Sequence, residues 1–348
     1  MAMLADSVDL VIGVDTHKET HTAALVSPTG AVLGTLTSST DRAGLARLLA
    51  FGRSQSAERR LWVLEGTGSY GAGLTTFLMT AGEPVAEIDR PRRPARRHGA
   101  KSDPLDAIRA AREALGRDQL GSPRRRGDRE ALRVLVVTRE ALVGERRRAL
   151  NQLHALIVSA PDELRVRLRP LQGRTLLSRC AGLREASGRT PELEATSRAV
   201  RLTARRILRV TAEADELEAS VRSLVCAMAP ALLVERGVGP ISAAWLLVAW
   251  SHPGRIRSEA AFALLAGVAP IPASSGQTVR HRLNRSGDRI LNRTLHTIVV
   301  SRLRYDPATQ AYAVGRRSEG RTDREIIRCL KRYVARGLYR QLERLATT

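Results

Sequence analysis

The sequence predicts an α/β domain at the N-terminus, a long helical middle region and a mainly helical C-terminal part. Residues 8–38 alternate as β-strands do, whereas the pattern becomes helical from about residue 128. The last third combines helical spacing with many arginines. A chain of 348 residues is long enough for two or three domains. We therefore expect an α/β plus α protein with domains at 1–125, 126–229 and 230–348.

The first domain is predicted from a run of short strands and helices. Strands lie in VDLVIGVD, THTAALVS and AVLGTLTS, and the Pro-Thr-Gly turn at 28–30 indicates a hairpin. A helix begins near Ala43, followed by the strand RLWVLEG, a helix over about 71–82 and the strand PVAEID. This is the ribonuclease-H-like order, an antiparallel meander extended by parallel strands with crossover helices. The order places the ends of the first and fourth strands side by side.

Four carboxylates are the candidate catalytic residues of this domain. Asp15 ends the first strand, Glu65 ends the fourth, and Asp103 and Asp106 share one face of the helix in KSDPLDAIRAAR. Clustered carboxylates repel one another unless a cation neutralises them, and Mg²⁺ prefers oxygen ligands together with substrate phosphates. The four acids therefore predict a Mg²⁺ (or Mn²⁺) site. Taken singly, the strand-end acids are equally typical of turns, and the helical pair of a cap and first turn.

The charge of the chain indicates a polyanionic partner. Its net charge is +22 and its pI about 11.4, almost entirely from arginine, since Lys18, Lys101 and Lys331 are the only lysines. Aromatic residues make up only 3%, which argues against a single-strand stacking platform. The positive charge and the four carboxylates together predict a metal-dependent enzyme acting on DNA or RNA. The expected nucleic-acid contacts are Lys18, Arg92, Arg93, Arg96, Arg97, Lys101, Arg280, Arg282, Arg285 and Arg289. Of the residues after Asp15, we interpret His17 as part of a turn.

The three cysteines and the absence of targeting signals point to a reducing compartment. Cys180, Cys226 and Cys329 have neither metal-ligand spacing nor an even-numbered framework. The N-terminus lacks a signal-peptide pattern, and no apolar stretch approaches the roughly 20 residues of a membrane span. We expect a cytoplasmic protein that has no membrane partner.

The middle region repeats apolar residues with heptad spacing. Leu135, Leu142, Ala149 and Leu156 recur every seven residues, and residues 200–228 contain four continuous heptads. Two interpretations stay open, a self-associating dimer stalk and an antiparallel hairpin of two long helices within one chain.

A constrained loop in the C-terminal part is the second candidate site. The segment APIPASSGQ at 269–277 is rich in proline and small residues, and basic residues follow at once. A serine hydroxyl attacks a phosphate only where its alkoxide is stabilised or a base takes its proton. From the residues alone, Ser274, Ser275 and Gly276 are more typical of a turn.

Six segments in order along nearly the whole chain resemble the transposases of the insertion-sequence family numbered one hundred and ten. They are IGVDTHKETHTAALV, VLEGTGSYGAGL, KSDPLDA, ERGVGPISAAWLL, FALLAGVAPIPASSG and LNRSGDRILNRTL. The resemblance implies a RuvC-like domain with an Asp-Glu-Asp-Asp tetrad, which falls on Asp15, Glu65, Asp103 and Asp106. It also implies a transposase domain whose serine nucleophile is Ser275, with Ser274 as the alternative.

The same resemblance implies a reaction and partners. We expect a bacterial transposase guided by a bridge RNA, which joins donor and target double-stranded DNA through a covalent 5′-phosphoserine. The tetrad of one subunit and the serine of another would form the site, in a homo-oligomer that assembles from dimer to tetramer. Two alternatives stay open: a junction resolvase that uses metal-activated water, and a non-catalytic nucleic-acid-binding protein.

Overall fold

The computed structural model divides the chain into two compact units, residues 1–125 and 126–348. It describes residues 3–55, 58–88, 102–184, 190–273, 281–284 and 286–345.

The first unit is a five-stranded mixed sheet with three α-helices. After a short 3₁₀ turn at Leu4–Asp6, its strands are β1 (Leu10–Thr16), β2 (Thr20–Val26), β3 (Val32–Ser39), β4 (Arg60–Glu65) and β5 (Val85–Ile88). Its helices are α1 (Arg42–Arg53), α2 (Ala72–Thr80) and α3 (Asp103–Leu115). The sheet order is β3-β2-β1-β4-β5, with β1, β2 and β3 antiparallel and β1, β4 and β5 parallel. The predicted ribonuclease-H-like order is confirmed.

Strand β1 lies at the centre of this sheet and is buried on both faces. Ile12 and its alternate neighbours pack into a core with α1 and α2, whereas Val11 packs into a second core with the alanines of α3. Helices therefore cover both sides of the sheet, which explains why LVIGV is a continuous apolar run.

Gly13 lets α3 approach β1 much more closely than any larger residue would. A Cβ at position 13 would lie 2.2 Å from the carbonyl oxygen of Ala107 and 2.7 Å from the amide nitrogen of Ala111. Both alanines are fully buried on the face of α3 that packs against the sheet. The glycine and the alanines together bring the first turn of α3 toward the end of β1.

Replacing Gly13 with alanine is expected to destabilise the first unit by about 1–3 kcal/mol, since the new methyl group overpacks a backbone contact. Urea unfolding followed by circular dichroism measures the change. Gly73→Ala is the matched control, because nothing lies within 4 Å of its Cβ position and the change should stay below about 1 kcal/mol. Equal stability of the two variants would contradict the close-approach explanation.

The second unit is almost entirely helical. Its helices are α4 (Asp128–Val158), α5 (Asp162–Leu168), α6 (Gly173–Ala181), α7 (Pro191–Met228), α8 (Pro230–Val234), α9 (Pro240–Trp250), α10 (Glu259–Leu265), α11 (Arg289–Tyr305), α12 (Pro307–Ser318) and α13 (Asp323–Arg344). Two short strands, β6 (Ile271–Pro272) and β7 (His281–Arg282), form an antiparallel pair. The prediction of a helical C-terminal part is confirmed.

Helices α4 and α7 form a long antiparallel hairpin within the chain. Leu132, near the start of α4, shares a core with Val225, near the end of α7. Leu153, near the end of α4, shares another core with Val200, near the start of α7. The hairpin interpretation of the heptads therefore describes this chain, while self-association stays a prediction.

The heptad positions of α7 lie along its buried stripe, whereas those of α4 match its buried face only in part. Of the four predicted positions in α4, Ala149 is buried, whereas Leu135, Leu142 and Leu156 are half-buried. Beside Leu135 and Leu156, the next residues along the chain, Val136 and Ile157, are buried instead. The difference arises because α4 packs against α5 and α9 as well as α7, so that it buries a broader face.

The base of the hairpin and the C-terminal helices share one hydrophobic core. Leu132 and Val225 belong to the same cluster as Trp245, Phe262 and Leu295. Packing thus continues across residue 229. The domain boundary predicted between residues 229 and 230 stays a prediction. Among the described residues, no helix is both long and apolar enough to span a membrane.

Candidate active site

The ends of two parallel strands bring Asp15 and Glu65 to the same edge of the sheet. Val14 of β1 is in register with Leu64 of β4, so the next residue on each strand is an acid. The hydroxyl of Thr16 donates a hydrogen bond to the backbone oxygen of Glu65 at 3.0 Å, which ties the two strand ends together. Both acids are half-buried.

Helix α3 contributes Asp103 and Asp106 from its first turn. Ser102 takes the N-cap position, and Pro104 lies in the first turn of the helix, where its missing N–H costs no hydrogen bond. The helix dipole stabilises carboxylates at this end. Since α3 docks against β1 at Gly13, its first turn lies beside the end of β1.

His17 lies between acids from the two elements. Its Nε2 is 3.1 Å from Oδ2 of Asp15 and 3.5 Å from Oδ1 of Asp103. The ligand atoms of these three residues all lie within 4.8 Å of one another. The side chain of Asp15 is 16% exposed, whereas those of His17 and Asp103 are each 45% exposed. The group is therefore anchored in the sheet and open to solvent on one side.

Our interpretation of His17 as a turn residue missed its place in the site. The signal was its spacing, because residues two apart along an extended chain point to the same side. A histidine two positions after a strand-end aspartate is therefore positioned to approach the same ligand.

The environment of Asp15 disfavours an isolated negative charge. Burial raises the pKa of Asp15 above its ordinary value, and the nearby carboxylates of Asp103 and Asp106 raise this pKa further, while His17 acts in the opposite direction. A bound cation would relieve both effects, since it offsets the lost hydration and the repulsion between carboxylates.

The donor set fits a small divalent metal ion. Carboxylate oxygens suit Mg²⁺ or Mn²⁺, and an imidazole nitrogen is compatible with Mn²⁺. Asp106 forms an ion pair with Arg109 at 2.8 Å, and neither it nor Glu65 belongs to the close group of three. The roles of all four acids as metal ligands stay predictions.

The structure describes only some of the predicted nucleic-acid contacts. Lys18 is exposed and pairs with Glu19 at 3.2 Å, while Arg282 on β7 and Arg289 at the start of α11 are exposed. The remaining predicted contacts lie outside the described residues: Arg92, Arg93, Arg96, Arg97, Lys101, Arg280 and Arg285.

Ser274 and Ser275 also lie outside the described residues. The strands on either side of them are described, and Ile271 and Pro272 pair with Arg282 and His281. The chain therefore enters and leaves the serine segment at one place, on a two-stranded ribbon.

Two family models match the chain over more than half of its length. The DEDD_Tnp_IS110 model, described as a transposase, matches residues 12–160 and spans all four acids. The model of the transposase IS116/IS110/IS902 family matches residues 229–313 and spans the serine segment. A comparison with curated proteins finds no match.

Proposed function

The chain belongs to the IS110 family of transposases and is therefore a DNA transposase, and on that premise we propose that it cuts and rejoins DNA by metal-assisted attack of a serine. The observation that carries the proposal is the group formed by Asp15, His17 and Asp103, where the end of β1 meets the first turn of α3. A charge of +22 suits the nucleic-acid substrate.

We assign the metal to the acids at this edge of the sheet. Asp15 and Asp103 would hold Mg²⁺ or Mn²⁺, with Glu65 and Asp106 completing the tetrad. When bound, the ion supplies charge stabilisation for the oxygens of the scissile phosphate. The first turn of α3 and the end of β1 orient these carboxylates, because Gly13 fixes the distance between the two elements.

The covalent step would use Ser275. Its Oγ attacks the phosphorus of the scissile phosphodiester, so that an Oγ–P bond forms and the bond from phosphorus to the 3′ oxygen breaks. The serine proton passes to solvent or a nearby base, and the 3′ oxygen leaves as a hydroxyl. The product is a 5′-phosphoserine, and attack by another 3′ hydroxyl would release the serine and join the strands.

Guide RNA and self-association complete the proposal. A bridge RNA would pair with donor and target DNA, while the chain recognises shape and charge, as other RNA-guided proteins do. Ser275 of one subunit would meet the tetrad of another in a dimer that assembles to a tetramer. Support for this part comes from the family resemblance of the tetrad and serine segments.

Removing the divalent metal is expected to abolish cleavage while leaving DNA binding largely intact. The test incubates the protein with RNA, donor and target DNA in Mg²⁺, in Mn²⁺, or with excess EDTA, and follows the products by denaturing electrophoresis. Binding of the same duplex is measured in parallel by fluorescence anisotropy. Cleavage that persists at the same rate in EDTA would contradict the metal-site assignment.

Two other functions make different predictions in this assay. A junction resolvase using metal-activated water would also lose cleavage in EDTA but would form no protein-DNA adduct. A non-catalytic binding protein would cleave under none of the conditions. A metal-dependent adduct therefore separates the proposed reaction from both alternatives.

A further inference from the structure

A cationic cavity lies beside the two-stranded ribbon of the second unit. It has a volume of about 510 Å³ and is lined by residues 267–270, by Arg282 to Asn284, by Asn292 of α11, and by four residues of α13. We call it the β7–α13 cavity. Its α13 wall falls outside both family matches, the second of which ends at residue 313.

Four of the lining side chains are basic and none is acidic. They are Arg282, Arg328, Lys331 and Arg332. Two of the four arginines of α13 that lie outside this lining behave differently, since Arg336 and Arg340 both pair with Glu259. By contrast, no described carboxylate lies within 4.0 Å of a charged nitrogen of the four cavity residues. The cavity thus concentrates positive charge that forms no ion pair within 4.0 Å in the described part of the chain.

Lys331 is the most constrained of the four. It is half-buried, and its Nζ donates a hydrogen bond to Oδ1 of Asn292 at 2.7 Å. The amide nitrogen of Asn292 donates to the backbone oxygens of Ala266 at 2.8 Å and Gly267 at 3.3 Å, which fixes the orientation of the amide. An ammonium group has three donors, so two remain for a ligand.

The surroundings of Lys331 disfavour its positive charge. Burial lowers the pKa of Lys331 below its ordinary value, and the neighbouring Arg328 lowers it further. An anion in the cavity would reverse both effects. Phosphate is the anion best matched to an ammonium group surrounded by guanidinium groups, since guanidinium groups bind two of its oxygens at once.

We propose that the β7–α13 cavity binds a backbone phosphate of double-stranded DNA next to the bond that the serine segment attacks. The inference rests on the proposed function, because β6 and β7 flank Ser274 and Ser275, and the cavity is lined by Pro270 before them and Arg282 after them. Lys331 is a positioning residue in this account, since it would hold the strand rather than touch the reacting atoms.

Salt dependence of binding tests the proposal without requiring catalysis. Binding of the full-length protein to a fluorescent 30-base-pair duplex is measured by anisotropy over a series of salt concentrations. Loss of one phosphate contact should reduce the slope of log Kobs against log salt by about 0.9 and weaken affinity about five-fold near 0.15 M salt. We expect this for Lys331→Met, and a larger change for the double variant Arg328→Gln, Lys331→Met.

Arg324→Gln is the matched control. Arg324 is an exposed arginine on the same helix that does not line the cavity. It should lower the slope by clearly less than Lys331→Met, with thermal unfolding used to confirm that each variant folds. Equal slopes for wild type and Lys331→Met, or equal losses for Lys331→Met and Arg324→Gln, would overturn the proposal. If Lys331→Met weakened binding only to an RNA duplex of the same length, the assignment of the cavity to DNA would be overturned.

Lysine labelling gives an independent measurement of the same site. An amine-acetylating reagent followed by mass spectrometry reports on Lys18, Lys101 and Lys331 separately. The DNA duplex should protect Lys331 at least several-fold, and unchanged labelling of Lys331 under saturating duplex would contradict the proposal. Neither measurement depends on adduct formation. If the duplex protects Lys331 but no adduct forms, the proposed serine reaction is refuted and the phosphate site is not.

Discussion

Asp15→Asn is expected to reduce DNA cleavage by about 10³-fold or more, which corresponds to a loss of several kcal/mol of transition-state stabilisation. Asparagine keeps the shape of the side chain but removes the negative charge nearest to His17 and Asp103. The remaining carboxylates would then hold the metal weakly. Cleavage of donor and target DNA under single-turnover conditions in Mg²⁺ measures the effect.

The fold and the DNA affinity of Asp15→Asn should both survive. Burial raises the pKa of Asp15, so in the absence of metal the neutral amide removes a cost, and the unfolding temperature should stay the same or rise. Asp118→Asn serves as the control, because Asp118 is an exposed carboxylate of the same unit outside the acidic group. It should cleave at the wild-type rate. Wild-type cleavage by Asp15→Asn would eliminate the proposed metal site.

Ser275→Ala is expected to eliminate the covalent protein-DNA adduct and all strand joining. A 5′-phosphoserine leaves the protein attached to the fragment that begins at the cut, so a label at the 3′ end of that strand migrates with the protein on a denaturing gel. A label at the 5′ end of the same strand migrates as free DNA. The two labels together identify both the adduct and the bond that breaks.

Ser274→Ala is the matched control for this prediction, since the two serines are adjacent and differ only in position. It should retain the adduct. Loss of the adduct in Ser274→Ala together with its retention in Ser275→Ala would identify Ser274 as the nucleophile. Cleavage without an adduct, unchanged in both variants, would instead assign the reaction to activated water.

Much of the fold could be predicted from local patterns. The hairpin turn at 28–30 and the apolar runs that end at Asp15 and Glu65 predicted β1 to β4 in the observed order. Strand alternation and chain order favour this arrangement, because a short turn joins antiparallel strands whereas parallel strands need a crossover helix between them. The same reasoning predicted that Asp15 and Glu65 end neighbouring strands, which the β1–β4 register confirms.

The sequence predicted that the heptad faces of the long helices are buried, but it did not predict what packs against them. The heptads of α7 determine that one face is buried, but a heptad pattern is the same whether its partner is another chain or α4. The buried face of α4 matches its predicted repeat only in part because α5 and α9 also cover this helix, and a local repeat does not encode contacts with other helices.

By itself, the sequence determined the element order of the first unit, the strand-end acids and the strong positive charge, because these depend on residue type and short-range spacing. Only the tertiary structure decided that His17 lies between Asp15 and Asp103, and that Arg282 and Lys331 line one cavity. Both arrangements join residues far apart in the chain. Their distances depend on how closely elements pack, as at Gly13 and Asn292, and that is a property of side-chain volume in three dimensions.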